Sequence, residues 1–261
     1  MPSPPMPYRS MDDIGVRVPR GMPQPVSPPL KEEIDRLAGA TRATGIVAAA
    51  QQVASDPTST LPTVLALLKV LGFGHAQQTI DEVIAEAPKV GCAAGCAHCC
   101  YQNVELTIPE AILVAAHLSD PSDPRRDAVL AAAAARRRMS DKQRRRPGRA
   151  CPLLIDNRCS VYEDQPLMCR SVLAVDGAQC AAALASILAG AEEKQIEQFT
   201  TAQYYVLGDQ AGIRGICKDM GLQYDLVELT DAVAAILRDP TLPARWAAGE
   251  RVFAASAILD V

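Results

Sequence analysis

Cysteine is the residue type whose number and spacing point most directly to chemistry in this 261-residue chain. Four of the nine cysteines form a CxxxCxxCC motif, and three more follow about fifty residues later. Short spacings let a tight turn aim successive thiolates at one point, and Gly91 and Gly95 permit the backbone conformations that such a turn needs. Thiolates are soft ligands, which favours zinc, iron or an iron-sulfur cluster over magnesium or calcium. We predict these metal ligands: Cys92, Cys96, Cys99, Cys100, Cys151, Cys159 and Cys169.

Seven thiols exceed the four that one tetrahedral zinc ion or one 4Fe-4S cluster requires. The surplus leaves several arrangements open, including a dinuclear site and a cluster with redox or substrate-binding thiols beside it. The side chains of Cys99 and Cys100 are expected to diverge because the two residues are neighbours in the chain. One of them would then serve a second metal or stay free.

The same density of cysteines has two other interpretations. Buried cysteines that act as small hydrophobic residues are common singly, but not at this density in turn-rich sequence. A thiol-disulfide oxidoreductase would place its CxxC motif in a βαβ context, which the sequence does not show. Metal binding is therefore the prediction, with a metal ion as the first partner.

The two remaining cysteines have helical surroundings. Cys180 lies among alanines, and Cys217 shares a helical stripe with Ile213 and Ile216. Both are predicted to be small core residues. Cys217 has the alternative of folding back as an additional ligand.

Helices are predicted to position most of the cysteines. Hydrophobic residues make up 49% of the chain and aromatic residues only 4%, a balance that favours helices built on alanine and leucine. Thr107 is predicted to cap a helix that has Glu110 in its first turn, and a second long helix is predicted over Pro124 to Arg146. The residues expected on the buried face of the first helix are Ile108, Ala111, Ile112, Ala115 and Leu118.

A small β-hairpin is predicted to carry two of the thiols. The segment from Cys151 to Tyr162 has the pattern of a strand, a turn at Asp156 to Arg158, and a second strand. Helical patterns resume after Asp176, with an apolar stripe that contains Leu226, Leu229, Val233, Ile236 and Leu237. The fold class is therefore mainly α, a single helical domain with a small β-hairpin and a cysteine-lined metal site.

Composition divides the chain into a tail and a domain. Residues 1–29 contain nine of the twenty prolines and are predicted to form a disordered proline-rich tail. Residues 30–261 are predicted to form the helical domain, which contains the cysteine-cluster region 91–170. No apolar run reaches the ~18 to 20 residues of a membrane span, and no signal-peptide pattern is present. These features predict a cytoplasmic protein without a membrane partner. Reducing conditions there disfavour structural disulfides, so the cysteines are predicted to act as metal ligands.

The segment Arg136 to Arg149 is the main competitor for a functional surface. It holds eight basic residues against Asp141 alone, a local charge of +7 in a chain whose net charge is −4. A solvated helix end is the usual explanation of such a run, and an acidic protein partner is the alternative. Nucleic acid is a poor candidate because no aromatic residues are interleaved with the basic ones.

The cysteine pattern resembles a known bacterial family, the zinc- or iron-chelating CxxCxxCC domain proteins, also called the YkgJ-like family. The resemblance rests on Cys92 to Cys100, on Cys151-Pro-Leu-Leu with Cys159-Ser-Val-Tyr-Glu, and on Gln165-Pro with Cys169-Arg. Two positions depart from the family pattern: the first cysteine pair is separated by three residues, and Gln165 stands where arginine is frequent. The resemblance implies metal chelation, and it assigns no reaction.

An enzymatic alternative comes from a second resemblance. The cluster is similar to that of flagellin lysine N-methylases, which implies an iron-sulfur enzyme that uses S-adenosylmethionine. The spacing of Cys92, Cys96 and Cys99 also matches the CxxxCxxC motif of radical S-adenosylmethionine enzymes. Those enzymes place the motif in a βα barrel, and this chain lacks repeated βα alternation. The sequence leaves open whether the protein is an enzyme, which metal it binds and what its oligomeric state is.

Overall fold

The structure is a computed structural model that describes residues 90–254 except 192, 193 and 195, together with Leu65, Asp81 and Ala85. The predicted tail at residues 1–29 lies outside the described residues, as does the predicted helical domain over residues 30–89 apart from those three residues. The cysteine-cluster region 91–170 lies entirely inside the described residues.

Most of the described residues are helical, which confirms the predicted fold class. Four short strands and two 3-10 helices, His98–Tyr101 and Tyr162–Asp164, connect the α-helices. The α-helices are α1 (Ile108–Ala116), α2 (Pro124–Arg137), α3 (Asp141–Arg145), α4 (Leu167–Ser171), α5 (Gly177–Leu188), α6 (Thr200–Asp219), α7 (Leu229–Arg238) and α8 (Leu242–Ala247). The strands are β1 (Glu105–Thr107), β2 (Leu154–Ile155), β3 (Arg158–Cys159) and β4 (Leu226–Glu228).

Helix α1 begins where the sequence predicts. The backbone N–H and the hydroxyl of Thr107 both donate to Oε2 of Glu110, at 2.8 Å each. This pairing satisfies a donor that the first turn of a helix leaves without a partner. The expected buried face is also confirmed, because Ile108, Ala111, Ile112, Ala115 and Leu118 are all buried.

The prediction of one long helix from Pro124 to Arg146 is wrong. Helix α2 ends at Arg137, and α3 begins at Asp141 after a break. At the break, the backbone N–H of Ser140 donates to Oε1 of Gln143, and Gln143 N–H donates back to the Ser140 hydroxyl. Ser140 therefore caps a new helix, because its hydroxyl accepts a backbone N–H in place of a carbonyl oxygen from the preceding turn.

The predicted hairpin is confirmed in a shorter form. Leu154 pairs with Cys159 and Ile155 with Arg158, so Arg158 belongs to a strand and the turn consists of Asp156 and Asn157. Both turn residues have positive φ, at 50° and 58°, as a two-residue hairpin turn requires.

A second strand pair, absent from the sequence prediction, joins distant parts of the chain. Strands β1 and β4 pair in antiparallel fashion, with Leu106 opposite Val227. The prediction of a single hairpin was therefore incomplete. Leu226 begins β4, whereas the rest of its predicted stripe lies in α7: Leu229, Val233, Ile236 and Leu237.

The hydrophobic core lies between α1, α2 and α7. Helix α7 packs against both α1 and α2, and the β1–β4 pair closes one end of this contact. Trp246 of α8 also belongs to this core and is fully buried. Its indole N–H donates to the carbonyl oxygen of Gln223 at 2.8 Å. Within the described residues, no helix has both the length and the apolar character that crossing a membrane demands.

Candidate metal centre

The first cysteine motif forms a compact turn. Cys96 N–H donates to the carbonyl oxygen of Ala93 at 2.9 Å, and Gly95 has a φ of +87° that permits the reversal. The 3-10 helix His98–Tyr101 follows and carries Cys99 and Cys100. The tight turn predicted from the spacing is therefore present.

Other segments hold this turn on two sides. On one side, Gly91 N–H donates to the carbonyl oxygen of Ala174 at 2.8 Å, and Ala174 N–H donates to Sγ of Cys92 at 3.3 Å. On the other side, Cys151 N–H donates to the carbonyl oxygen of Cys100 at 2.8 Å. The backbone thus brings the first and second cysteine segments together without any metal-ligand bond.

The β-hairpin and α4 supply the remaining predicted ligands. Cys151 precedes β2, Cys159 ends β3, and Cys169 lies in α4. The start of α4 is held by Glu110, whose Oε1 accepts the backbone N–H of Leu167 at 2.8 Å. Helix α1 therefore sets the position of the helix that carries Cys169.

The thiols of Cys151, Cys159 and Cys169 form what we call the inner thiol group. Burial raises the pKa of Cys151 to about 11 and raises that of Cys159. Burial also raises the pKa of Cys169 well above its ordinary value, and the thiols of Cys151, Cys99 and Cys159 raise it further. The three thiols and Cys99 are therefore close enough for their charges to interact.

Cys92 also has Cys99 as a thiol neighbour, together with Cys96. Burial raises the pKa of Cys92, the N–H of Ala174 lowers it, and the thiols of Cys96 and Cys99 raise it. Cys180 also belongs to this neighbourhood, since burial and then the thiols of Cys92, Cys96 and Cys99 raise its pKa. We call Cys92, Cys96 and Cys180 the outer thiol group.

The expectation that Cys99 and Cys100 diverge is wrong. Their thiols form a hydrogen bond with each other, and this bond, together with burial, raises the pKa of Cys99 well above its ordinary value.

All seven predicted ligands lie in one region, but they are not arranged around a single point. Among the residues that the structure describes, no three histidine, cysteine, aspartate or glutamate side chains converge closely enough to hold a metal ion as they stand. The donor set still fits zinc or iron, because it consists of thiols from four segments and every cysteine among them is free.

Arg170 connects the inner thiol group to its surroundings. Its guanidinium donates to the carbonyl oxygens of Gln165, Tyr162 and Glu163, and it lowers the pKa of Cys159. The side chain of Tyr162 is 68% exposed, and its ring lies beneath the guanidinium of Arg170, with its centroid 5.8 Å from Cζ.

A buried ion pair borders the other side of Cys151. Nε of Arg136 lies 3.3 Å from Oε2 of Glu228, and burial raises the pKa of Glu228 to about 7 despite this arginine. Both residues line a cavity of about 90 Å³ that also contains Cys151. Arg136 is therefore a structural cation and is not part of the exposed basic surface.

The structure decides differently for the two cysteines that were predicted to be core residues. For Cys217 the prediction is confirmed, because the residue is 1% exposed and burial raises its pKa to about 12. For Cys180 the prediction is wrong, because the residue is half-buried beside the outer thiols. The sequence near Cys180 indicates only that a helix starts at Asp176 and Gly177, one turn earlier. It does not indicate which part of the protein that helix packs against.

Comparison with known proteins agrees with this assembly of thiols. Residues 91–203 match the model of the CxxCxxCC family, described as "Putative zinc- or iron-chelating domain". The match confirms the resemblance drawn from the cysteine motifs, and it extends past Arg170 to include Cys180. No curated protein and no solved structure matches the chain.

Proposed function

We propose, from the membership of residues 91–203 in the CxxCxxCC family, that this protein binds zinc or iron through its clustered thiols and serves a structural, storage or delivery role. The observation that carries the proposal is the inner thiol group, in which three chain segments bring Cys151, Cys159 and Cys169 within interaction range of Cys99. The proposed ligand set is Cys92, Cys96, Cys99, Cys100, Cys151, Cys159 and Cys169.

Metal binding on this arrangement requires local movement of side chains. The hydrogen bond between the thiols of Cys99 and Cys100 must break, and thiols must rotate about χ1 toward a common centre. A bound cation stabilises the thiolate form and so offsets the unfavourable burial of these groups. The backbone hydrogen bonds around the turn keep the segments in place while this happens.

The bound metal would supply cross-links between segments that are distant in sequence. A zinc ion held by four thiolates has no open position and acts on folding and stability. Because the first and second cysteine segments are about fifty residues apart, we infer that the metal contributes to folding. Since these ligands require reduced thiols, we also propose a reducing compartment such as the cytoplasm.

The experiment that tests this function is measurement of metal and acid-labile sulfide, with an absorption spectrum, on protein purified without oxygen. Colourless protein with one or two zinc ions per chain is the expected result for the proposed role. Brown protein with iron and labile sulfide, absorbing near ~400 nm, would show an iron-sulfur centre instead. Protein that takes up neither metal after anaerobic reconstitution would overturn the proposal.

A second candidate is an iron-sulfur enzyme, with S-adenosylmethionine-dependent lysine methylation as the form suggested by flagellin lysine N-methylases. The half-buried positions of Cys92 and Cys96 favour it, because a catalytic centre needs an accessible coordination position. The cavity that borders Cys151 is too small to admit such a cofactor, since about 90 Å³ is far below the roughly 300 to 1,000 Å³ of ligand pockets. Calorimetric titration of the reconstituted protein with S-adenosylmethionine tests this candidate, and absence of binding would exclude it.

The basic segment Arg136 to Arg149 supports a separate proposal for an acidic protein partner. Lys142, Arg145 and Arg146 line an open groove of about 570 Å³ together with the apolar Ile187. Such a mixture of positive charge and apolar surface suits an acidic peptide segment.

Charge reversal in this groove tests the acidic partner, with polyglutamate as the probe. Arg145→Glu combined with Arg146→Glu is expected to abolish salt-sensitive binding without loss of metal. Arg137→Glu combined with Arg138→Glu makes the same change of charge at exposed positions outside the lining of the groove. Equal binding by both double variants would contradict a specific role of the groove.

A further inference from the structure

The start of helix α5 lies directly against the first cysteine turn. A Cβ atom placed on Gly91 would come within 2.5 Å of the backbone nitrogen of Gly177 and 2.7 Å of Cα of Asp176. Such distances leave no room for a side chain, so backbone meets backbone at this point. Gly91 immediately precedes Cys92, which fixes the first turn of α5 beside the first thiol.

The end of the same helix lies against the loop that precedes Cys151. A Cβ atom on Gly148 would come within 2.9 Å of Cγ2 of Ile187, and Gly148 N–H donates to the carbonyl oxygen of Tyr101 at 2.8 Å. Helix α5 therefore contacts the first cysteine turn at its start and the loop before Cys151 at its end. The helix also packs against the 3-10 helix His98–Tyr101, which carries Cys99 and Cys100.

Helical geometry places Cys180 on the face that makes these contacts. Cys180 follows Gly177 by three residues and precedes Ile187 by seven, and residues at both spacings share one face of a helix. Ala183, on the same face, is buried. The side chain of Cys180 is thus directed toward the turn that carries Cys92 to Cys100.

Charge interactions agree with this geometry. After burial, the thiols of Cys92, Cys96 and Cys99 are the largest influences on the pKa of Cys180, and all three raise it. Cys217 provides the contrast, because none of the clustered thiols influences its pKa and it is packed in the hydrophobic core. Cys180 therefore has thiol neighbours, whereas Cys217 has apolar ones.

Counting the thiols shows what this neighbourhood could hold. With Cys180, the clustered thiols number eight, which is the number that two separate four-thiolate sites require. The thiols divide into the inner group, the outer group and the adjacent pair Cys99 and Cys100, of which Cys99 interacts with thiols of both groups. One member of that pair for each group would give four thiols at each site.

We propose that Cys180 is an eighth metal ligand and that the protein holds two metal ions, one at the inner and one at the outer thiol group. This inference rests on the proposed metal-binding function. The ligand class is a soft or borderline divalent cation, since each site would offer four sulfur atoms. The two sites would adjoin at Cys99 and Cys100.

The test is the metal stoichiometry of the full-length reduced protein, measured by titrating the metal-free form with Zn²⁺ against a competing chelator. Wild-type protein is expected to bind two ions per chain. Cys180→Ser is expected to keep one tight ion and to bind the second at least ~100-fold more weakly, since changes even outside the ligands cost 10- to 100-fold in affinity. Cys159→Ser should also keep one ion, in this case at the outer group.

A matched control is Cys217→Ala, which removes a thiol from the core and should leave two ions bound. Circular dichroism establishes that each variant is folded. Equal stoichiometry and affinity for wild type and Cys180→Ser would overturn this inference and leave the proposed function standing. Absence of any Zn²⁺ binding by wild type would instead overturn the proposed function itself.

Alkylation provides a readout that does not depend on any variant folding. The wild-type chain is treated with iodoacetamide in the metal-free and Zn²⁺-loaded forms, and each cysteine is followed by mass spectrometry. Protection of Cys180 by Zn²⁺, together with Cys92 and Cys96, is expected. If Zn²⁺ protects the other cysteines but leaves Cys180 equally reactive, Cys180 is not a ligand.

Discussion

The inner and outer thiol groups are held in place by different kinds of contact. The inner group depends on side-chain and backbone hydrogen bonds that reach the core, such as the one between Glu110 and the start of α4. The outer group depends on close backbone packing between Gly91 and Gly177 and on hydrogen bonds with Ala174. The inner group is therefore coupled to the stability of the fold, whereas the outer group is coupled to the position of one helix.

This difference teaches how one cysteine cluster can combine two roles. Metal at the inner group would tie the hairpin, α4 and the cysteine turn to the core. Metal at the outer group would tie only the turn to α5. We therefore expect the loss of a thiol from the inner group to affect unfolding more strongly than the loss of one from the outer group. Changes to the contacts that hold each group should have smaller effects.

The largest effect is expected from Cys169→Ser in the metal-loaded protein. By analogy with cross-links that close loops of about fifty residues, the free energy of unfolding should fall by about 4 kcal/mol. Urea denaturation with and without a chelator measures it. Cys96→Ser, in the outer group, should also lower stability but by less, and chelation should reduce the difference between the two variants. A larger loss for Cys96→Ser would reverse the order of the two groups.

Glu110→Ala should have the next largest effect. The fully buried carboxylate accepts hydrogen bonds from Thr107, Leu167 and Gln210, and its removal leaves buried donors without partners. The expected loss is about 3 kcal/mol in the free energy of unfolding, together with weaker metal binding at the inner group.

Glu250→Ala is the matched control for Glu110, because Glu250 forms an exposed ion pair with Arg245 at 2.8 Å. Its loss should cost at most about 1 kcal/mol. If Glu110→Ala destabilises the protein but leaves inner-group affinity unchanged, then the link from Glu110 through α4 to Cys169 plays no part in metal binding.

A comparison of Gly91→Ala with Gly95→Ala examines the outer group. At Gly91 the added Cβ would collide with the backbone of α5, so we expect a loss of about 2 kcal/mol and weaker metal binding by the outer thiols. At Gly95 nothing lies within 4 Å, and only the positive φ of +87° disfavours alanine, at a cost of about 1 kcal/mol. Equal outer-site affinity in both variants would argue against the role of the contact between Gly91 and Gly177.

The smallest effect is expected from Arg170→Lys. Lysine cannot reproduce the several carbonyl contacts of the guanidinium, but it keeps the positive charge near Cys159. Stability should fall by about 1 kcal/mol with little change in metal affinity. Arg170→Gln, which also removes the charge, should weaken inner-group binding further. Identical metal affinities for the two variants would show that the charge of Arg170 does not assist the thiolates.

Local sequence signals predicted a large part of the fold. The start of α1 was predictable because Thr107 and Glu110 are three residues apart and satisfy each other. The hairpin was predictable because Asp156 and Asn157 tolerate positive φ. The break after Arg137 was missed because basic residues, which favour helices, lie on both sides of it. Only one residue, the helix-capping Ser140, indicates a new helix start there.

The sequence by itself determined the chemistry of this protein, because the number, type and close spacing of the cysteines already specify a soft metal. It also determined the helices and the hairpin, whose signals lie within a few residues. Only the tertiary structure decided the pairing of β1 with β4, the division of the thiols into two groups and the place of Cys180. These features join residues some fifty or more positions apart, and such contacts follow from how buried faces pack together, which no local pattern encodes.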